Sequence, residues 1–202
     1  QEYYTRKDSA ILSLYKYHYV KTSTPNTTFG QAILSQFEIV NKGSLDYEDT
    51  GNNAIYADLK IGADTLRVYN VHLQSHRVNP NVEDLQNEGG KSVLKRLGSS
   101  FKMQQDQVAQ LKTSLESKRY KTIICADMNN SAFSYVYRSL KGNRFRDAFK
   151  AAGNGFGRSF DSNIFPLRID FIFVDKQIDI TGFKTYENKF SDHFPLKASI
   201  KL

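Results

Sequence analysis

The 202-residue chain is long enough to bury a hydrophobic core, and its 40% hydrophobic, 24% charged and 13% aromatic residues exclude a disordered tail. Its 28 Lys and Arg against 21 Asp and Glu leave a net charge of +7, which suits polyanionic partners such as nucleic acid, phospholipid headgroups or phosphorylated metabolites and equally serves solubility alone. One cysteine, Cys125, excludes an intrachain disulfide, and no unbroken apolar run is long enough to span a membrane.

The chain opens at Gln1-Glu2, and residues 10–20 mix aromatic and aliphatic groups. From Gly30, Gln31-Ala32-Ile33-Leu34-Ser35 reads as a short buried strand. Asn52 to Lys60 alternates apolar and polar residues. Arg67-Val68-Tyr69-Asn70-Val71-His72-Leu73 follows a turn at Gly62-Ala63-Asp64, so the two segments predict a hairpin whose second strand ends in a histidine. Residues 74–100 are polar and carry Asn79-Pro80-Asn81 and Gly89-Gly90, the signature of a long loop or lid with one helical turn over Val93 to Leu97.

From Phe101 to Arg119, Met103, Val108, Leu111 and Leu115 take the spacing of an amphipathic helix covering a sheet. A strand over Tyr120 to Ala126, with Cys125 buried in it, leads to Asp127-Met128-Asn129-Asn130. Ser131 is the expected N-cap of a helix through Leu140. Arg168 to Val174 is a further strand with Asp170 inside it, and Ile180 to Tyr186 another. Ser191-Asp192-His193-Phe194-Pro195 introduces a last strand, Leu196 to Leu202. Helical and strand periods alternate without linker or repeat, which predicts one mixed α/β layered domain over 1–202.

Glu2, His72, Asp127, Asn129, Asp170, Asp192 and His193 each lie in or at the end of an apolar strand, where sheets present catalytic and ligand-binding groups to a crevice. Asp170, between Ile169 and Phe171, needs a cation or a hydrogen-bond donor to be tolerated there. His193 is its natural partner, because an Asp–His pair orients the imidazole and raises its basicity toward general-base use. Asp192 offers the oxygen chemistry of Mg²⁺, Mn²⁺ or Ca²⁺ sites, and two His without a Cys pair lack a structural zinc pattern. Structural alternatives stay open at this level: His72 as a hydrogen-bonded strand residue, and Asp127-Met128-Asn129 and Asp192-His193 as capping turns.

Taken in order, Gln1-Glu2, Gly30 to Ser35, Asn70-Val71-His72-Leu73, Ala126-Asp127-Met128-Asn129, Arg168-Ile169-Asp170-Phe171-Ile172-Phe173 and Ser191-Asp192-His193-Phe194-Pro195 resemble the endonuclease/exonuclease/phosphatase superfamily. That superfamily includes deoxyribonuclease I, abasic-site endonucleases, neutral sphingomyelinases and inositol-polyphosphate 5-phosphatases. The resemblance implies a four-layered α/β sandwich of two packed mixed sheets flanked by helices, a divalent metal, usually Mg²⁺, and hydrolysis of phosphodiester or phosphomonoester bonds in nucleic acid, phospholipid or a phosphometabolite. It implies Glu2 and Asp192 at the metal, His193 as general base oriented by Asp170, and Asp127 with Asn129 positioning nucleophile and phosphate. His72 would contact the phosphate or protonate the leaving group, and Arg158, in Gly157-Arg158-Ser159-Phe160, would contact substrate. The family's first strand has no counterpart before Gln1, so a truncated piece is expected, and similar bacterial proteins permit a membrane-tethered parent. Two other readings are a metal- or phosphate-binding domain without turnover, and a serine hydrolase on Ser191 and His193, for which no Gly-x-Ser-x-Gly elbow is present.

Overall fold

The computed structural model describes every residue except 1, 6–8, 25–26, 77–89, 118, 162–165 and 189. Its elements are β1 (Tyr3–Tyr4), α1 (Ser9–Ser13), β2 (Tyr17–Thr22), β3 (Phe29–Ser35), β4 (Glu38–Ser44), β5 (Ala54–Ile61), β6 (Asp64–His72), α2 (Gly90–Ser117), β7 (Lys121–Asp127), α3 (Tyr135–Lys141), β8 (Phe145–Asp147), α4 (Ala148–Ala152), β9 (Asp170–Asp175), β10 (Asp179–Thr185) and β11 (Leu196–Lys201). The predicted hairpin forms: β5 and β6 pair antiparallel from Ile61↔Asp64 onward. Gly62, at φ 61°, supplies the left-handed residue of the two-residue turn.

A six-stranded mixed sheet runs in the order β4-β5-β6-β7-β9-β8, with β6 and β7 parallel and the other neighbours antiparallel. Successive side chains alternate between its faces, so each central strand feeds two cores. Tyr69, Val71, Ile124, Ala126, Phe171 and Phe173 face Val108, Leu111 and Leu115 of α2 and Val136, Tyr137 and Leu140 of α3. The other face presents Leu66, Val68, Ile123, Ile172 and Val174 to Tyr19 and Ile33 of β2 and β3 and to Ile180, Phe183, Leu196, Ala198 and Ile200 of β10 and β11. This second layer is in two pieces, β1-β3-β2 and β10-β11, which cover one apolar face together. The chain thus adopts the mixed two-sheet sandwich that the motif order implies.

Three local expectations need correction. Helix α2 begins at Gly90 and runs for 28 residues, so the single turn at Val93 to Leu97 is part of it. Ser100 and Gln104 interrupt the apolar stripe yet are buried, because the Gln104 amide donates to the carbonyls of Gln74 (2.7 Å) and Met128 (3.2 Å). The N-cap of α3 is Ser134, whose hydroxyl accepts from the Tyr137 N–H, while the Ser131 hydroxyl accepts from Phe133 in the preceding turn. Cys125 is half-buried on the inter-sheet face rather than fully buried, and burial pushes its thiol up to about 11. No helix among the described residues is long and apolar enough to cross a membrane.

At the rim of the helix-side core, Arg67 on β6 donates to Asp58 on β5 through Nε (2.6 Å) and Nη2 (2.8 Å), and its guanidinium lies 4.3 Å from the Tyr56 ring centroid. Both charged side chains are buried, so removing one strands the other. Asp58→Ala is expected to lower unfolding free energy by roughly 3–5 kcal/mol, read from urea denaturation. The Lys21–Asp46 pair is surface-exposed, and Lys21→Ala should change stability by less than about 1 kcal/mol in the same measurement.

Candidate active site

The strand periodicity that builds the inter-sheet core also builds the site. His72 ends β6, Asp127 ends β7 and Asp170 begins β9; all three continue the inter-sheet faces of their strands. Register places His72 opposite Asp127 and Asp127 opposite Asp170, so the three form one row across adjacent strands at one end of the sheet. His193 joins from the segment before β11.

Asp127 is the hub. Its Oδ1 accepts the Asn129 backbone N–H at 2.8 Å, and its Oδ2 lies 3.5 Å from His72 Nε2 and 3.9 Å from His193 Nε2. Asn129 sits at φ 47°, a left-handed conformation that asparagine tolerates, and this folds its N–H back onto Asp127. Its side-chain amide donates to the Leu73 carbonyl at 3.0 Å. His193 Nδ1 is 2.9 Å from Asp170 Oδ2. The carboxylate holds Nδ1–H, which leaves Nε2 facing the crevice. Asp127, Asp170 and His193 offer ligand atoms within 4.8 Å of one another.

Electrostatics separate the two histidines. Burial, with the positive charge of His193 nearby, pushes His72 down to about 4, so it is neutral at physiological pH. Burial opposes the charged form of His193 as well, but the Asp170 hydrogen bond and the carboxylates of Asp170, Asp127 and Asp192 outweigh it and raise this group to about 9. Asp127 is raised well above the carboxylate range, first by burial and then by the charge of Asp170.

The remaining sequence-derived candidates lie around this row. Glu2 lines a cavity of about 180 Å³ with Asp127, Ser191 and His193. Asp192 is exposed on the rim, where its carboxylate accepts from the Ser191 hydroxyl at 3.1 Å, and it is not within the three-residue cluster. Arg158 stands outside the cluster: its guanidinium pairs with Asp161, its Nε donates to the Phe160 carbonyl at 3.3 Å, and it lies over the Phe194 ring. It therefore braces the segment that carries His193. The Ser191 hydroxyl also accepts the His193 backbone N–H at 3.2 Å, so it engages the chain around the imidazole and not the ring, which gives the serine-hydrolase reading no geometry.

Ser159 has no counterpart among the residues singled out by sequence. Fully buried, it accepts the backbone N–H groups of Ile169 (3.0 Å) and Asp170 (2.9 Å) through its hydroxyl, while its carbonyl accepts from Phe194 at 2.8 Å. It ties the Asp170 strand to the His193 segment. Its only sequence signal was its place beside Arg158. Gly157 precedes this anchor at φ 64°, where a Cβ would meet the Phe149 ring at 2.6 Å and the Arg168 side chain at 2.8 Å.

In the metal-free protein, with chelator present, His193 is expected to titrate near 9 by NMR, carrying its positive charge below that pH and losing the Nε2 proton above it, while Nδ1–H stays on Asp170. Asp170→Asn should bring the titration down, because burial then acts against the imidazolium with less opposing charge. An unchanged midpoint in that variant would show that the pair does not set it.

Comparison with solved structures returns the same sandwich. Truncated TDP2 from Caenorhabditis elegans is 16% identical with a TM-score of 0.70, the match covering 100% of this chain and 83% of that one. The mannosyl-6-phosphatase of Bacteroides thetaiotaomicron is 18% identical with a TM-score of 0.65, covering 100% and 84%. Beta toxin from Staphylococcus aureus is 17% identical with a TM-score of 0.65, covering 95% and 80%. At these identities the likeness is one of fold. No curated protein matches the chain by sequence. The sequence profile of the Endonuclease/Exonuclease/phosphatase family matches residues 1–193, and the chain belongs to that family.

Proposed function

We propose that residues 1–202 act as one catalytic domain that hydrolyses phosphoester bonds with a divalent cation, Mg²⁺ or alternatively Mn²⁺ or Ca²⁺, and water as nucleophile. The observation that carries this reading is the convergence of Asp127, Asp170 and His193 at the end of the inter-sheet crevice, with the His193 ring held by Asp170 and its Nε2 left open. Family membership and the mannosyl-6-phosphatase among the structural neighbours support the phosphoester as the bond attacked.

The donor set fits such an ion. Asp127 and Asp170 are carboxylates paired directly across two strands, and Glu2 lines the same cavity as Asp127, so hard oxygen donors of like charge converge where a cation relieves their repulsion. Asp192 is the further carboxylate on the rim. When bound, the cation neutralises charge growing on the phosphate oxygens.

The chain's own groups divide the remaining work. With the surrounding carboxylates neutralised at a loaded site, the charge that holds His193 protonated would fall away, so that Nε2 takes the proton of the attacking water while Asp170 keeps Nδ1–H in place. Asp127, with its raised carboxyl, is the second proton acceptor at the same point. Asn129 holds Asp127 through its backbone N–H and ties the turn to the Leu73 carbonyl through its side-chain amide, and in this reading the amide's second N–H is the donor to a phosphate oxygen. His72, neutral through burial, serves as a hydrogen-bonding contact to the phosphate better than as a source of a full proton. Arg158 acts on substrate through the segment it braces.

Hydrolysis of bis-p-nitrophenyl phosphate with Mg²⁺ or Mn²⁺ should vanish in EDTA and fall by roughly 10²–10⁴-fold in His193→Ala. Chelator-insensitive turnover would remove the cation, and full activity of the variant would remove His193 from the mechanism.

A further inference from the structure

The two layers of the sandwich meet through apolar side chains, and a polar crossing joins them close to the site. Gln31 on β3 lies two residues from Ile33 and so shares its inter-sheet face. Its Nε2 donates to the carbonyls of Asn53 (3.2 Å) and Asn70 (3.4 Å), and the Asn70 Nδ2 donates back to the Ala32 carbonyl at 3.0 Å. Both side chains are buried, with 5% and 9% of their residues' surfaces exposed. Asn70 stands two residues before His72 on β6, and the Asn53 carbonyl that Gln31 uses also accepts the His72 N–H at 2.9 Å. On its other side, β3 pairs with β1 at Tyr3↔Gly30, and the antiparallel register continued by one residue brings Glu2 beside Gln31.

A cation shared by Glu2 and Asp127 takes donors from both layers, so its affinity depends on how the layers sit against each other at this end. Apolar packing is non-directional and leaves β3 free to slide along β6. The reciprocal amide bonds remove that freedom. We propose that Gln31 is a positioning residue for the divalent cation: it sets Glu2, next to the β1-β3 pair, against Asp127 in the six-stranded sheet. The inference rests on the cation-dependent reading above and adds to it a residue that acts through Glu2.

Stability alone does not account for this side chain. Among the described residues, Gln31 Oε1 is buried without a hydrogen-bond partner, and an unmet acceptor of this kind costs the fold. An apolar side chain such as that of Ile33 would fill the layer without the cost. Departures from the packing rules concentrate where function needs them. Here the departure faces Asn70, two residues short of His72, on the strand that runs beside Glu2.

Mn²⁺ titrated calorimetrically into the metal-free chain reads the placement of the donors without turnover. Gln31→Met keeps the length of the side chain and removes its hydrogen bonds; it should bind Mn²⁺ roughly 10–100-fold more weakly, with a urea midpoint close to the parent's. Asn70→Ser, which removes the return bond to Ala32, should weaken binding in the same direction and serves if Gln31→Met does not fold. Glu2→Gln should weaken binding as well, and adding Gln31→Met to it should cost little more, because the effect passes through Glu2. At saturating Mn²⁺, Gln31→Met should hydrolyse bis-p-nitrophenyl phosphate at close to the parent's kcat, since the residue is not assigned to substrate or water. Three results would overturn the proposal: parental Mn²⁺ affinity in the folded Gln31→Met chain, parental affinity in Glu2→Gln, or a Gln31→Met loss equally large with and without Glu2. A parent chain that binds no Mn²⁺ removes the cation reading and this inference with it, whereas a parent that binds and variants that bind equally well remove this inference alone, so the two failures are distinguishable.

Discussion

Two buried carboxylates face each other across neighbouring strands, and the surrounding structure is organised around that repulsion. Asp127 and Asp170 are register partners on β7 and β9, with 4% and 8% of their surfaces exposed. Like charges directly opposite each other destabilise a sheet, and burial removes the water that would screen them. Three responses are visible. The Asp127 carboxyl is pushed up, Asn129 turns its N–H onto Asp127, and His193 is drawn onto Asp170 and held protonated. In the proposed function a divalent cation would complete the same compensation.

The scaffold maintains this tension by tying its parts at short range. Ser159 fixes the start of β9 and the His193 segment together, and the Asp161 N–H donates to the Asp192 carbonyl at 2.7 Å. Further back, Asp147 caps α4, accepts from the Tyr137 hydroxyl and pairs with Arg168, whose guanidinium lies between the Phe149 and Phe171 rings. This network positions the chain entering Asp170. The charges in it are paired and hydrogen-bonded, the condition under which buried charge is tolerated.

The candidate site and the most exposed apolar side chains divide along the boundary between strand ends and loops. The row His72-Asp127-Asp170 belongs to the sheet, and its geometry is fixed by register. Phe133, Phe156 and Phe190 belong to the connecting loops, where surface composition varies without disturbing the core.

By itself the sequence determined the strand periods, the hairpin turn at Gly62, the acids and histidines at strand ends, and, through motif order, the fold class. Those features are local: alternation with period two and a left-handed glycine are written in neighbouring residues. Helix α2 was legible only in part, because Ser100 and Gln104 occupy buried positions whose partners, Ser75 for the first and Gln74 and Met128 for the second, are distant in the chain. Likewise, Asp170 was recognisable as a carboxylate needing a partner, but its opposition to Asp127 depends on how β7 and β9 align. Ser159 was invisible as an anchor, since a serine in a polar loop carries no mark of the two backbone N–H groups it will accept. Tertiary structure alone decided these matters, because strand register and burial bring together residues far apart in the chain, and the charge interactions that shift His72, Asp127 and His193 exist only once water is excluded between them.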